Sequence, residues 1–195
     1  MEAIDELKAK YRGEKMGNLS LCHGDFHAGQ VMVEQHQEDG DDSIASDDHG
    51  LSVKVIDPEF AIYGPPGLDL GYLISGYVLA CVHCAAMGVD SEQIRSFHSA
   101  VAAVWEAYKS AMCATDVPEV NLMEISNDAA GFAGCELARN ALYGLPIRDE
   151  HQKMVADQAA LALAVKFVKG RAQGVDGLLV TFEGFCRNAG SQSSA

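Results

Sequence analysis

A chain of 195 residues with 48% hydrophobic and 22% charged residues has an ordinary globular composition and the length of about one domain. That is enough chain to bury a core without disulfides or a structural metal, and the composition excludes collagen-like, mucin-like and disulfide-scaffold proteins. Against 28 Asp and Glu stand 14 Lys and Arg, a net charge of −14, which repels polyphosphate backbones and argues against sequence-independent nucleic-acid binding.

In chain order, residues 2–12 read as a helix with Ile4, Leu7 and Tyr11 on one face. The N-terminus carries no signal-peptide pattern, and six cysteines in that context point to a reducing, cytoplasmic setting. Residues 19–33 form an apolar approach, a loop rich in His, Gly and Asp, and a short strand, Val-Met-Val. Residues 34–50 hold Glu34, Glu38, Asp39, Asp41, Asp42, Asp47 and Asp48 without a Lys or Arg. They lack the alternating ligands of a Ca²⁺ loop and read as a solvated insertion. Leu51, Val53 and Val55 alternate along the next strand, which predicts a hairpin with the first, its turn inflated by the insertion. Gly64-Pro65-Pro66-Gly67 breaks the chain. Beyond it helices are predicted over 68–88, 91–113 with Ser91 as N-cap, 120–144 and 150–169, ahead of a low-complexity tail at 191–195 expected to be disordered.

The apolar run Leu70 to Val89 is long enough for a membrane span but is bounded by Asp69 and Asp90 and has no basic flank. It reads as a buried central helix, with no membrane partner. The Cys81-x-x-Cys84 pair inside that run lacks a second ligand pair and reads as structural thiols.

The chemistry concentrates in two segments, a catalytic-type loop at 21–33 and a metal-type loop at 53–71. Asp25 before one strand and Asp57-Pro58-Glu59 after its partner would gather carboxylates at one end of the hairpin. Such a set suits phosphoryl transfer, in which one carboxylate orients a hydroxyl and others hold Mg²⁺ on nucleotide phosphates.

His23-Gly24-Asp25-x-His27-x-Gly29 followed by Ile56-Asp57-Pro58-Glu59-Phe60 resembles the aminoglycoside-phosphotransferase and choline-kinase-like kinases. The longer string from Asp57 to Gly71, D-P-E-F-A-x-Y-G-P-x-G-x-D-x-G, is most similar to the methylthioribose kinase family. The likeness covers most of the chain, through L-K-A-K-Y-R-G-E-K at 7–15, V-W-E-A-Y at 104–108 and G-F-A-G-C-E-L-A-R at 131–139. It implies a mostly α fold with a small β-hairpin, the helical C-terminal lobe of the protein-kinase-like fold, over residues 1–190. The implied reaction is ATP- and Mg²⁺-dependent phosphorylation of methylthioribose at its C1 hydroxyl, in methionine salvage. Asp25 becomes the catalytic base in contact with the sugar, and His23 a brace of the loop. Asp57, Pro58 and Glu59 become the Mg²⁺–ATP segment, Gln30 a further metal position, and Asp69 an acceptor of loop amides. Arg139 takes the place of an arginine facing the sugar, and otherwise reads as a surface helix charge. His27 reads as a loop hydrogen-bonder.

Three features depart from the family. Gln30 stands where most of the wider superfamily has a metal-binding Asn and methylthioribose kinases tend to have Ser, the paired arginines appear as Arg139-Asn140, and the chain has no place for the N-terminal nucleotide lobe. Neither lysine of the Leu7–Lys10 stretch is a candidate for that lobe's lysine. The open alternatives are a longer gene product, a partner such as that lobe or a homodimer mate, a non-catalytic remnant serving as a binding module, and a related small-molecule kinase with another hydroxyl acceptor. An isolated lobe is expected to expose the apolar surface that its other half would cover.

Overall fold

The computed structural model describes residues 2–15, 19–35, 51–114 and 119–192. Its elements in order are α1 (Glu2–Tyr11), β1 (Ser20–Cys22), β2 (Val31–Gln35), β3 (Leu51–Val55), β4 (Ile62–Gly64), α2 (Gly67–Ala86), α3 (Ser91–Cys113), α4 (Glu119–Tyr143), α5 (Glu150–Gly170) and α6 (Gly174–Gln192). The chain is therefore mostly helical, as expected. The helix starts and ends agree with the reading to within two residues where both give a boundary.

The core forms around α2, which packs on α4 and, more lightly, on α3 and α5. Ile74, Val78, Cys81 and Val82 recur at helical spacing and are at most 1% exposed; each aliphatic side chain so buried contributes about 1.5–3 kcal/mol. At the start of α2 small residues set the distance to α4. A Cβ on Gly67 would lie 2.8 Å from the Ala129 nitrogen, and one on Gly71 2.8 Å from the Ala129 oxygen. Among the described residues α2 is the one helix long and apolar enough to cross a membrane, and its apolar stripe is spent on the core. Cys81 is buried, with Sγ 3.8 Å from Cys186 Sγ on α6, and Cys84 is half-buried.

Three details differ from the sequence reading. The N-cap of α3 is Asp90 rather than Ser91, its Oδ1 accepting from the amides of Glu92 at 2.9 Å and Gln93 at 3.0 Å. Its extended backbone lets the carboxylate fold back onto the first turn, leaving Ser91 as the first helical residue. A further helix, α6, follows Gly174, whose φ of 65° turns the chain. It runs through Gln192, so the helix takes in the first two residues of the expected tail; 193–195 lie outside the described residues.

The third difference is a second sheet. The expected hairpin is present, β2 and β3 pairing from Val31↔Val55 to Gln35↔Leu51. The acidic insertion between them falls outside the described residues from 36 to 50. In addition β1 pairs antiparallel with β4, Ser20↔Gly64 through Cys22↔Ile62. Loop 23–30 links β1 to β2 and loop 56–61 links β3 to β4, so the two ladders hold these loops side by side from both ends. The alternation along the hairpin does not bury its apolar residues: Val33 is 61% and Val53 62% exposed. Met32, Val55, Phe60 and Tyr63 are exposed in the same region.

Candidate functional site

The two loops are joined by backbone and side-chain bonds that their sequences specify. Asp69, in the first turn of α2, accepts from the backbone amides of His23 at 2.6 Å and Gly24 at 2.9 Å. A carboxylate taking two backbone amides is among the stronger polar ties in a protein. The His23 ring reaches the other loop, its Nε2 donating to the Ile56 carbonyl at 2.8 Å. This leaves its buried Nδ1 without a partner. Gly24, at φ 84°, lies so close to the second loop that a Cβ there would sit 2.1 Å from the Phe60 oxygen. The Ile56 amide donates to the Gln30 carbonyl at 3.0 Å.

Within loop 23–30, His27 caps a 3₁₀ turn over Ala28–Gln30 by accepting from the Gly29 amide at Nδ1, 3.1 Å away. That bond places the ring proton on Nε2, which faces Asp25 Oδ2 at 3.6 Å. His27 is a loop hydrogen-bonder, as read from the sequence. In the second loop, Asp57 adopts φ 63° and ψ 55° and is the one non-glycine residue with positive φ among those described. Such a conformation costs on the order of 1–3 kcal/mol and collects at functional positions. Pro58 starts the 3₁₀ turn Pro58–Phe60, and the Asp57 carboxylate makes no capping bond to it. The side chain faces Gln30 instead, whose Nε2 lies 3.5 Å from Asp57 Oδ2.

The carboxylates do not gather as expected. Among the described residues no group of three His, Cys, Asp or Glu side chains could hold a metal ion. Asp25 is turned to His27 and Asp57 to Gln30, while Glu59 stands exposed in its turn. What the fold brings together is Asp57 with Gln30, both oxygen-bearing, with Glu59 two residues along. Carboxylate and amide oxygens are the donors that hard divalent cations prefer, so these residue types fit Mg²⁺.

An open groove of about 860 Å³ runs between α1, α2, α4 and α5. Leu7, Tyr72, Phe132, Glu136 and Arg139 line it. Tyr72 lies one turn beyond Asp69, and burial together with the Glu136 charge pushes its hydroxyl pKa up to about 12. The hydrogen bond to Glu136 holds the Arg139 guanidinium above its ordinary pKa. Arg139 is not free: its Nε donates to Glu136 Oε2 at 2.7 Å. Sequence reasoning singled out neither Tyr72 nor Glu136. The signal available was their spacing, three residues after Asp69 and three before Arg139, which puts each on its partner's helix face. Lys10, passed over in the sequence, is consumed structurally by Asp128 and Glu124.

Comparison with known proteins finds partial relatives over most of the chain. The methylthioribose kinase of Bacillus velezensis is 30% identical over 151 residues, covering 72% of this chain and 32% of that protein. That of Geobacillus thermodenitrificans is 30% identical over 173 residues, covering 78% and 38%, and that of Exiguobacterium sibiricum 30% over 170 residues, covering 79% and 39%. The chain thus spans 32% to 39% of the length of these curated relatives. No family model matches it.

Proposed function

We propose that this chain is the acceptor- and metal-binding lobe of a small-molecule kinase that transfers phosphate from ATP to the C1 hydroxyl of methylthioribose, a cytoplasmic step of methionine salvage. The observation that carries the reading is the clamp of Asp69 on the His23 and Gly24 amides, which holds Asp25 at a fixed place beside the Asp57 loop. The names of the partial relatives support the acceptor.

In this reading Asp25 accepts the proton of the attacking hydroxyl at Oδ1 or Oδ2, with His27 Nε2–H orienting the carboxylate. His23 acts as a positioning residue by tying the two loops. Arg139 donates hydrogen bonds to the sugar from the groove. Asp57 and Glu59 would hold Mg²⁺ with Gln30 beside them, and a cation bound there would supply positive charge for phosphoryl transfer. The exposed apolar hairpin around Val33, Val53 and Val55 suits cover by a nucleotide-binding lobe or by a homodimer mate.

A second reading is a non-catalytic binding module. The Gln30 amide lying against Asp57 favours it, because it occupies a carboxylate that the metal would need.

An ADP-release assay separates the two readings, run on the chain alone and joined to the N-terminal lobe of the Bacillus velezensis relative. Methylthioribose, choline, homoserine and an aminoglycoside serve as acceptors. These 195 residues alone should show no turnover, since positioning of the phosphates supplies most of the catalysis. The joined protein should act on methylthioribose. There Asp25→Ala should lower kcat by about 10²–10⁴-fold, the usual contribution of a general base, while Arg139→Ala should chiefly raise KM. Full activity in Asp25→Ala would refute the base assignment. Sugar binding without turnover in the joined protein would establish the binding-module reading.

A further inference from the structure

Glu136 lies inside the G-F-A-G-C-E-L-A-R string at 131–139 but received no role from the sequence, yet it is the hub of the acceptor side. Its side chain is 11% exposed against 57% for Arg139, so a fixed carboxylate holds a guanidinium at the surface. Arg139 Nε donates to Glu136 Oε2 at 2.7 Å and its Nη2 donates to Oε1. Asn140 Nδ2 donates to the same Oε1 at 2.8 Å and to the Glu136 carbonyl at 2.9 Å. This grip takes one edge of the guanidinium and turns Nη1 away from Glu136. Glu136, Arg139 and Tyr72 line the same groove.

We propose that Glu136 is a positioning and specificity-determining residue: it aims Arg139 along the groove and offsets its charge, so that the site takes a neutral polyhydroxyl acceptor and rejects an anionic one such as a sugar phosphate. The inference rests on the acceptor reading above and adds the residue that selects among acceptors. An unpaired guanidinium recognises phosphate through two parallel hydrogen bonds. Beside a carboxylate that already fills one such pair, an incoming anion meets repulsion as well as attraction. A sugar hydroxyl needs only a donor, and the Nη1 edge supplies one. Asn140 fits the same role, since an amide at this position braces the carboxylate without adding a second positive charge.

The test is calorimetric titration of the 195-residue chain with methylthioribose and with ribose 5-phosphate. NMR of the Arg Nε–H resonances in ¹⁵N-labelled protein runs alongside. The wild type should prefer methylthioribose. Glu136→Gln, which keeps shape and removes charge, should strengthen ribose 5-phosphate binding by about two- to fivefold, the effect of an exposed charge pair, and should shift the Arg139 Nε–H signal. Glu136→Asp, which keeps the charge, should retain the preference for the neutral sugar. An unchanged ratio of the two affinities in Glu136→Gln would overturn the selection. An unmoved Arg139 signal would overturn the grip. If the wild type binds neither sugar while the Arg139 signal still shifts, the acceptor reading fails and the selection with it, and the grip alone stands.

Discussion

Gly24 shows how much of the site depends on a single missing atom. Its φ of 84° and the 2.1 Å that would separate a Cβ from the Phe60 oxygen leave no room for any other residue. Gly24→Ala is therefore expected to cost about 2–5 kcal/mol, combining backbone strain with overpacking, as measured by urea unfolding. A loss below about 0.5 kcal/mol, the range of a neutral surface substitution, would show that the second loop yields easily. The motif residues were legible in the sequence because their spacing is local: His23, Asp25 and His27 share one loop, and Asp57 and Glu59 another. The Gln30–Asp57 and Arg139–Glu136 contacts were not. The first depends on how two loops far apart in sequence meet, and the second on which way an exposed arginine turns.

At the level of elements, the helices were readable because α2 to α5 carry clear breakers and apolar runs, such as Gly64–Gly67 before α2. The β1–β4 ladder was not readable. Three-residue strands are too short to show an alternation, and Leu21 and Tyr63, which pair across it, are exposed. The hairpin makes a direct prediction about the acidic insertion. Because Gln35 pairs with Leu51, the strands close without residues 36–50. Replacing those residues by a four-residue turn should leave the unfolding free energy within about 1 kcal/mol, since closure entropy changes only logarithmically with loop length. Thermal or urea unfolding measures it, and a loss of several kcal/mol would show that the insertion packs or binds an ion.

The molecule as a whole is held by an ionic tie that joins its N-terminal helix to the helical body. Lys10, 6% exposed, donates to both Asp128 oxygens at 2.9 and 2.7 Å and to Glu124 at 2.7 Å. Arg171 pairs with Glu6 and lies 3.9 Å from Asp128. Removing one partner leaves a buried charge uncompensated, so Lys10→Met should lose about 3–5 kcal/mol, and Lys10→Met with Asp128→Leu should recover most of it. Burial alone would lower the Lys10 pKa, but the bonds to Asp128 and Glu124 outweigh it and hold it above the ordinary 10.5. With the folded value raised, the contribution of Lys10 is fully present below pH 10.5 and is lost as pH rises through the folded value. Unfolding free energies measured from neutral to strongly alkaline pH should fall at the upper end for the wild type, and that component should vanish in Lys10→Met. A tie between residues separated by 118 positions leaves no trace in local patterning, which is why the N-terminal lysines carried no structural meaning in the sequence.

The bonds from Asp69 to the His23 and Gly24 amides close spans of 46 and 45 residues, and that separation imposes an order on assembly. The helices after Gly67 follow one another along the chain and can dock on their neighbours early, whereas the two loops meet only once the intervening polypeptide has been gathered. The contact between the two loops is thus expected to form late, on helices already docked. Until then the apolar strands lie open to their counterparts in other newly made copies. The acidic residues from Glu34 to Asp48, with no Lys or Arg among them, disfavour such pairing between copies by like-charge repulsion.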